Sequence, residues 1–385
     1  MLKVAVILTA RPSWAKLESV CRALKAKPDV ELQIIACASA LLERYGRVVD
    51  VVKKDYEVAA EVYSTYEGAN LITSAKETGA LCSDLAGVVS RLRPDAVVVC
   101  ADRHEVLAAA QAVAYLHVPL IHLQGGERTG SIDDKVRNSI TQLSDWHCVS
   151  TRRAQMRVYA LTGNHDRVIW TGCPSIDLAH EAKDSALVTY EELGGSGPRL
   201  DLAYPFLVVL QHSVTSEADQ SGAQMQTTLE AVGAVNLPRI VFWSGQDAGQ
   251  EDMAKAVRMW REHRADLAIH TVRSLPPARF LKLLTQASVL VGNSSAGIRE
   301  ASYLGVPVVN IGTRQFGRER GPNVVDVGYE AEAIWAATGE QIQHGLYPSS
   351  SLYGHGNAGE RIAEVICERV GGVAVGATGT SASTR

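Results

Sequence analysis

The stretch "VLVGNSSAGIREASYLGVP" (residues 289–307) decides the fold class. A short apolar run ends at Gly292, a polar turn follows, and a helical run starts near Ser294. Strand, polar turn and helix in succession make the repeating unit of a parallel α/β sheet. Upstream in the same half lie further short apolar runs, at residues 206–212, 239–244 and 267–272. Downstream of the strand at 288–293 come 307–312 and 323–328. The first half repeats the pattern at 4–9, 32–37, 96–100, 119–123, 147–150 and 167–172, with helical stretches such as 15–26 and 105–116 between them. Continuous apolar strands joined by helices are buried on both faces. The expectation is two Rossmann-like, doubly wound α/β domains facing a central cleft, with the carboxyl ends of the strands lining it.

With 385 residues, 46% of them hydrophobic, the chain can fill two cores. The expected boundaries are 1–185 and 186–357, a closing helix over 358–371 and a disordered Gly/Ser/Thr tail over 372–385. The stretch 193–205, rich in Gly, Ser and Pro, places the hinge there or slightly before it. A net charge of −4 gives no pull toward nucleic acid or an anionic membrane. No apolar run approaches the roughly 18 residues of a membrane span, and residues 4–9 read as a first core strand rather than a signal peptide. Seven scattered cysteines with no C-x-x-C pair read as core residues in a reducing compartment. A cytoplasmic protein is expected. No G-x-G-x-x-G follows a strand, so no NAD is signalled, and no His/Asp/Cys cluster has metal-ligand spacing.

Candidate chemistry gathers after the strands. Ser294, Ser295 and Gly297 open a helix whose free N–H groups suit a phosphate, with Glu300 a turn or two further to accept from sugar hydroxyls. A serine N-cap on a small-residue helix that packs against the sheet fits the same letters. "NIGTRQFGRERG" (310–321) adds Arg314 at the next strand end, where a solvated basic loop is the alternative. "VVLQHSVTSE" (208–217) places His212 just past a strand. In the first half, "TARPSW" (9–14) puts Arg11 after the first strand, and "CADRHE" (100–105) puts Asp102 and Arg103 after another. "HLQGGERTGSIDD" (122–134) supplies Gln124 and the acid Asp133.

Taken together, "ADRHEVLAAA", "HLQGGERTGSIDDKVRNSIT", "TGCPSIDLA", "LQHSVTSE" and the run from Val291 to Gly321 resemble the hydrolysing UDP-N-acetylglucosamine 2-epimerases, in order from about residue 4 to 330. The nearest branch is the one that releases N-acetylmannosamine for sialic acid synthesis. The resemblance implies a GT-B fold, a homodimer, a sugar nucleotide as small-molecule substrate, and no nicotinamide. It implies Ser294, Ser295 and Arg314 on the diphosphate, Glu300 on the ribose, and Arg11 and Arg103 on nucleotide and sugar. Asp102, Asp133 and His212 then serve proton transfer and sugar handling. UDP leaves across C1–C2 to give a glycal, and water adds back with C2 inverted.

Three positions depart from the family pattern. Gln124 stands where the branch carries a catalytic Glu, and an amide neither takes nor gives a proton at neutral pH. Ser244 and Gly245 replace a Pro-Asn pair, and Ala101 replaces a Gly. Three functions therefore stay open. One is a hydrolysing 2-epimerase in which Asp102 or Asp133 covers the missing acid. Another is a glycosyltransferase of the same fold that moves GlcNAc to a small acceptor such as a heteroaromatic base. The third is a non-catalytic sugar-nucleotide binder.

Overall fold

Runs of Val, Ile, Leu and Ala form strands buried on both faces, as helical crossovers require. The computed structural model describes residues 1–66, 70–130, 132–243 and 248–370. Ser244, Gly245 and the tail expected at 372–385 lie outside the described residues. The chain divides into two units, one built from Met1–Glu127, Lys135–Asp177 and the chain from Asn357, the other from Arg128–Asp134 and Leu178–Gly356. Among the described residues no helix is long and apolar enough to cross a membrane.

The first unit holds β1 (Leu2–Leu8), β2 (Val30–Cys37), β3 (Val58–Val62), β4 (Ala96–Cys100), β5 (Leu120–Leu123), β6 (Trp146–Val149) and β7 (Val168–Trp170). Their order is β3-β2-β1-β4-β5-β6-β7, every neighbour parallel. Alternation along β1 sends side chains to opposite faces. Val4, Val6 and Leu8 meet Leu17, Cys21 and Leu24 of helix Arg11–Lys25 and Ile362 and Ile366 of helix Ala358–Arg369. Ala5 and Ile7 meet Leu81, Leu85 and Val89 of helix Leu71–Leu92 and Val113 of helix His104–Tyr115. Each such buried aliphatic side chain contributes roughly 1.5–3 kcal/mol.

The second unit holds β8 (Leu207–Leu210), β9 (Arg239–Phe242), β10 (Ile269–Val272), β11 (Val289–Gly292), β12 (Val308–Ile311) and β13 (Val324–Val327). The order is β10-β9-β8-β11-β12-β13, again all parallel. Leu207 and Val209 of β8 pack with Met225, Leu229, Val257 and Ile334 from three covering helices. In both sheets strand order reverses once, between β1 and β4 and between β8 and β11. At such a reversal the connections leave to opposite faces and open a crevice at the carboxyl edge.

All twelve expected strands are present, with bounds within two residues of expectation. β3 and the helix Leu71–Leu92 were not among the expected elements. β3 is an edge strand with only Val62 buried, so it carries no apolar run to read. The Gly/Ser/Pro stretch at 193–205 lies against β10 of the second unit. Ser196 pairs antiparallel with Thr271, and a Cβ on Gly195 would sit 2.0 Å from the Thr271 carbonyl oxygen.

The helix Ala358–Arg369 completes the first unit rather than the second. Asp177 Oδ1 and Oδ2 accept from the Ala358 and Gly359 N–H groups at 2.9 and 2.7 Å. A buried carboxylate from elsewhere in the chain thus caps this helix, whose own Asn357 makes no side-chain cap. Arg361 adds hydrogen bonds to the carbonyls of Trp170 and Thr171 at 2.6 and 3.3 Å. Asp177→Ala is expected to lower unfolding stability by about 2 kcal/mol. Urea titration should show a lower midpoint at unchanged slope.

Candidate functional site

In the second unit the polar residues of interest flank the β8/β11 reversal. β8 runs out into Gln211 and His212, and β11 runs out into Asn293 and Ser294. Asn293 is fully buried. Its Oδ1 accepts from the His212 N–H at 2.7 Å and its Nδ2 donates to the His212 carbonyl at 2.8 Å. Its own carbonyl accepts from Arg314 Nη1 at 3.3 Å and Gln315 Nε2 at 2.8 Å. Thr313 Oγ1 donates to Glu217 at 2.7 Å, a second tie between the same two loops. The structure therefore brings His212, Ser294 and Arg314 to one edge of one sheet.

The helix expected to open at Ser294 is broken. It runs as Ser295–Ile298 and Glu300–Leu304, with Arg299 between them at φ −98°, ψ −70°. Ser294 Oγ accepts the Ala296 N–H at 3.3 Å, and the Ser294 carbonyl accepts the Gly297 N–H at 3.1 Å. Ser295 Oγ accepts from Arg299 at 3.0 Å. The expected row of outward N–H groups is therefore partly consumed by the cap and the first turn. Gly297 is buried within the first short helical turn, against the sheet. A Cβ there would meet Val308 at 2.9 Å and Leu290 at 3.4 Å, so its smallness serves contact with the sheet. Glu300 is buried, and its Oε2 has no hydrogen-bond partner among the described residues. A buried acceptor left so costs about 1–3 kcal/mol until something donates to it.

In the first unit the reversal lies between β1 and β4, where Arg11 and the Ala101–Arg103 turn sit. Arg11 Nη2 reaches the Gly46 carbonyl at 3.3 Å, while Nη1 is buried with no partner among the described residues. Burial lowers the pKa of this guanidinium, a desolvation cost that a neighbouring anion would offset. Asp102 pairs with Arg137, a guanidinium only 1% exposed that also donates to the Glu127 carbonyl at 2.7 Å. A cation buried this deeply requires a counter-charge, and Asp102 supplies one. Arg103 donates to both oxygens of Glu105, at 3.2 and 3.1 Å. Burial alone would raise the Glu105 pKa, but the charges of Arg103 and His104 outweigh it and lower it.

Ala101 and Gln124 follow β4 and β5 in left-handed conformation, with φ +73° and +66°. His122 braces this turn. Its Nε2 lies 2.9 Å from the Ala101 carbonyl and its Nδ1 3.1 Å from Thr141 Oγ1. A carbonyl only accepts, so Nε2 carries the proton and Nδ1 accepts from the threonine. Burial holds the His122 pKa down, to about 4, so the ring is neutral. Gln124 is 3% exposed, and its Nε2 donates to Cys173 Sγ at 3.0 Å. Cys173 Sγ is in turn 3.0 Å from Ser175 Oγ. Asp133 lies in the first turn of helix Ile132–Leu143. Its neighbour Asp134 is the loop organiser, accepting from the Thr129 and Gly130 N–H groups at 2.7 and 2.9 Å. Among the described residues no group of three His, Cys, Asp or Glu could hold a metal ion.

Sequence reasoning passed over Asn293, Arg137, His122 and Thr141 as individual actors. One signal was legible: an Arg and an Asn in positions apolar on a simple strand or helix pattern are buried polar groups that must be paired.

Two predictions follow from the turn. Ala101→Gly removes a left-handed non-glycine residue and should raise stability by about 0.5–1 kcal/mol in a denaturant titration. His122 and its register partner His147 have pKa values pushed down by burial from 6.5 to about 4 and about 3. The unfolded chain therefore binds more protons than the folded one below pH 6.5. Stability should be full above pH 6.5 and fall as the pH drops toward 4, and His147→Gln should flatten that slope by about half.

The family description "UDP-N-acetylglucosamine 2-epimerase" matches residues 22–367. A UDP-N-acetylglucosamine 2-epimerase of Neisseria meningitidis serogroup B is 30% identical over 378 residues, covering 95% of each chain. A hydrolysing UDP-N,N'-diacetylbacillosamine 2-epimerase of Legionella pneumophila is 29% identical over 365 residues, 94% of this chain and 95% of that one. The crystal structure of UDP-GlcNAc 2-epimerase from Neisseria meningitidis bound to UDP-GlcNAc superposes with TM-score 0.79 at 18% identity, over 95% of this chain and all of that one. Its likeness shows a GT-B fold, made of two parallel-sheet α/β units. With a family match over most of its length, this chain belongs to the UDP-N-acetylglucosamine 2-epimerase family.

Proposed function

We propose that this chain is a hydrolysing 2-epimerase that converts a UDP-linked 2-acetamido sugar, UDP-GlcNAc or a close relative, to UDP and the free C2 epimer. Glu300 carries the reading. Its Oε2 is a buried acceptor without a donor among the described residues, at the start of the second short helical segment on from Ser294. A ribose diol supplies the missing donors, and the positive charge of Arg314 suits a diphosphate. Arg11, with a buried nitrogen free of partners among the described residues, is suited to an anionic group.

The reaction takes two steps. A carboxylate, Asp102 or Asp133, removes the C2 proton. The C–H pair forms the C1=C2 bond, and the C1–O bond breaks with its electrons leaving on UDP. Water then adds its oxygen to C1 while a proton reaches C2 from the opposite face. The sequence is redox-neutral and calls for no nicotinamide. Positive charge near the leaving diphosphate lowers the first barrier, and a positioned carboxylate contributes a further 10²–10⁴-fold or so.

One observation favours a second reading. Gln124 cannot carry a proton, and its amide N–H is committed to Cys173. Transfer of GlcNAc to a small acceptor needs no C2 deprotonation and tolerates that amide.

Proton NMR of UDP-GlcNAc with the protein in heavy water separates the outcomes. Free N-acetylmannosamine carrying deuterium at C2, together with UDP, is expected. UDP released only on addition of an acceptor establishes transfer instead, and binding without turnover in any mixture leaves a binder. Gln124→Glu should raise epimerisation by about 100-fold or more if the missing proton carrier limits the rate. An unchanged or lower rate discards that account of Gln124.

A further inference from the structure

We infer that Asn293 is the positioning residue of the second unit, its side chain fixing His212 and its carbonyl fixing Arg314. The inference rests on the reading of this edge as the sugar-nucleotide site.

The geometry is specific. Asn293 occupies the first position after β11, beside the first residues after β8, at the one place where the sheet order reverses. Beyond Leu210 the ladder between these strands ends in a single backbone bond, from the Asn293 N–H to the Leu210 carbonyl at 3.2 Å. The Asn293 amide then takes over, closing a ring with both the N–H and the carbonyl of His212 at 2.7 and 2.8 Å. An amide is suited to this because it presents one donor and one acceptor side by side. A carboxylate of the same shape would lose the donor, and a serine would lack the reach. Gly292, at φ +139°, leaves its Cα open where a Cβ would sit 2.1 Å from the Leu210 carbonyl oxygen. That close approach lets the amide come within range of the His212 backbone.

The other side of Asn293 points at the second loop. Its carbonyl is shared by Arg314 and by Gln315, itself fully buried. One fully buried residue thus sets the main chain of the candidate sugar-side histidine and the side chain of the candidate diphosphate arginine. The two halves of its role separate on mutation. A side-chain change releases His212, while the carbonyl that holds Arg314 stays.

The test compares wild type with Asn293→Ala and Asn293→Asp. By NMR, the His212 amide should exchange with solvent about tenfold faster in Asn293→Ala, with the amides of β8 unchanged. Asn293→Asp keeps the acceptor and should retain that protection. In turnover of UDP-GlcNAc, Asn293→Ala should lose about 50-fold in kcat with KM and calorimetric UDP affinity within about threefold of wild type. Asn293→Asp should lie between, and Asn293→Ser, whose hydroxyl lacks the reach to His212, carries the exchange comparison if the alanine variant does not fold. Unchanged exchange at His212 in Asn293→Ala overturns the inference. So does a loss of kcat and UDP affinity in equal proportion with general loss of amide protection, which marks a merely structural residue. Wild type that neither binds UDP nor turns over UDP-GlcNAc sinks the functional reading instead, and the exchange comparison still decides whether Asn293 fixes His212.

Discussion

In an all-parallel sheet every strand finishes on the same edge, and where the order reverses, two neighbouring chains turn away from each other. Backbone groups at that point lose their ladder partners and must find others. Each unit answers this constraint with buried polar side chains rather than more backbone. In the second unit a single amide closes the gap between the ends of β8 and β11. In the first, a neutral histidine and a buried arginine brace the turns that follow β4 and β5. The candidate chemistry sits where it does because these repairs hold it there.

The two units differ in how charge is handled. The first buries a full ion pair, Asp102 with Arg137, whose separation would leave an uncompensated charge in a poorly solvated place. The second leaves a carboxylate oxygen of Glu300 waiting. The pair holds the Asp102 carboxylate ionised at a fixed point, and an unfilled acceptor suits recognition of a hydroxyl-bearing ligand. Gln124 belongs to neither class. Its N–H rests on a thiol that in turn neighbours a serine hydroxyl, so this position now works by hydrogen bonding alone.

The fold was legible wherever burial was complete on both faces, since those strands read as unbroken runs of Val, Ile and Ala. β3 escaped because an edge strand with one buried residue has no such signature. Of the candidate site, residues at strand ends were legible by position, among them Arg11, Asp102, His212 and Arg314. What stayed hidden was how side chains were spent. Nothing in "GNSSAG" shows that Ser294 caps its own turn, that Gly297 is small for Val308, or that a kink at Arg299 divides the helix. Nor does the sequence say that Arg103 is tied to Glu105. Pairing is a tertiary property, and a linear pattern reports only that a partner must exist.

The helix that begins at Ala358 leaves the ribosome after all of the second unit, yet its Ile362 and Ile366 fill the face of the first sheet beneath Leu17 and Cys21. Until then that apolar trough stands open, and the N–H pair that Asp177 will receive does not exist. The core of the N-terminal unit is therefore complete only once this late helix has been made. Truncation upstream of Ala358 would remove Ile362 and Ile366 from that core and leave its apolar face exposed, a surface prone to aggregation.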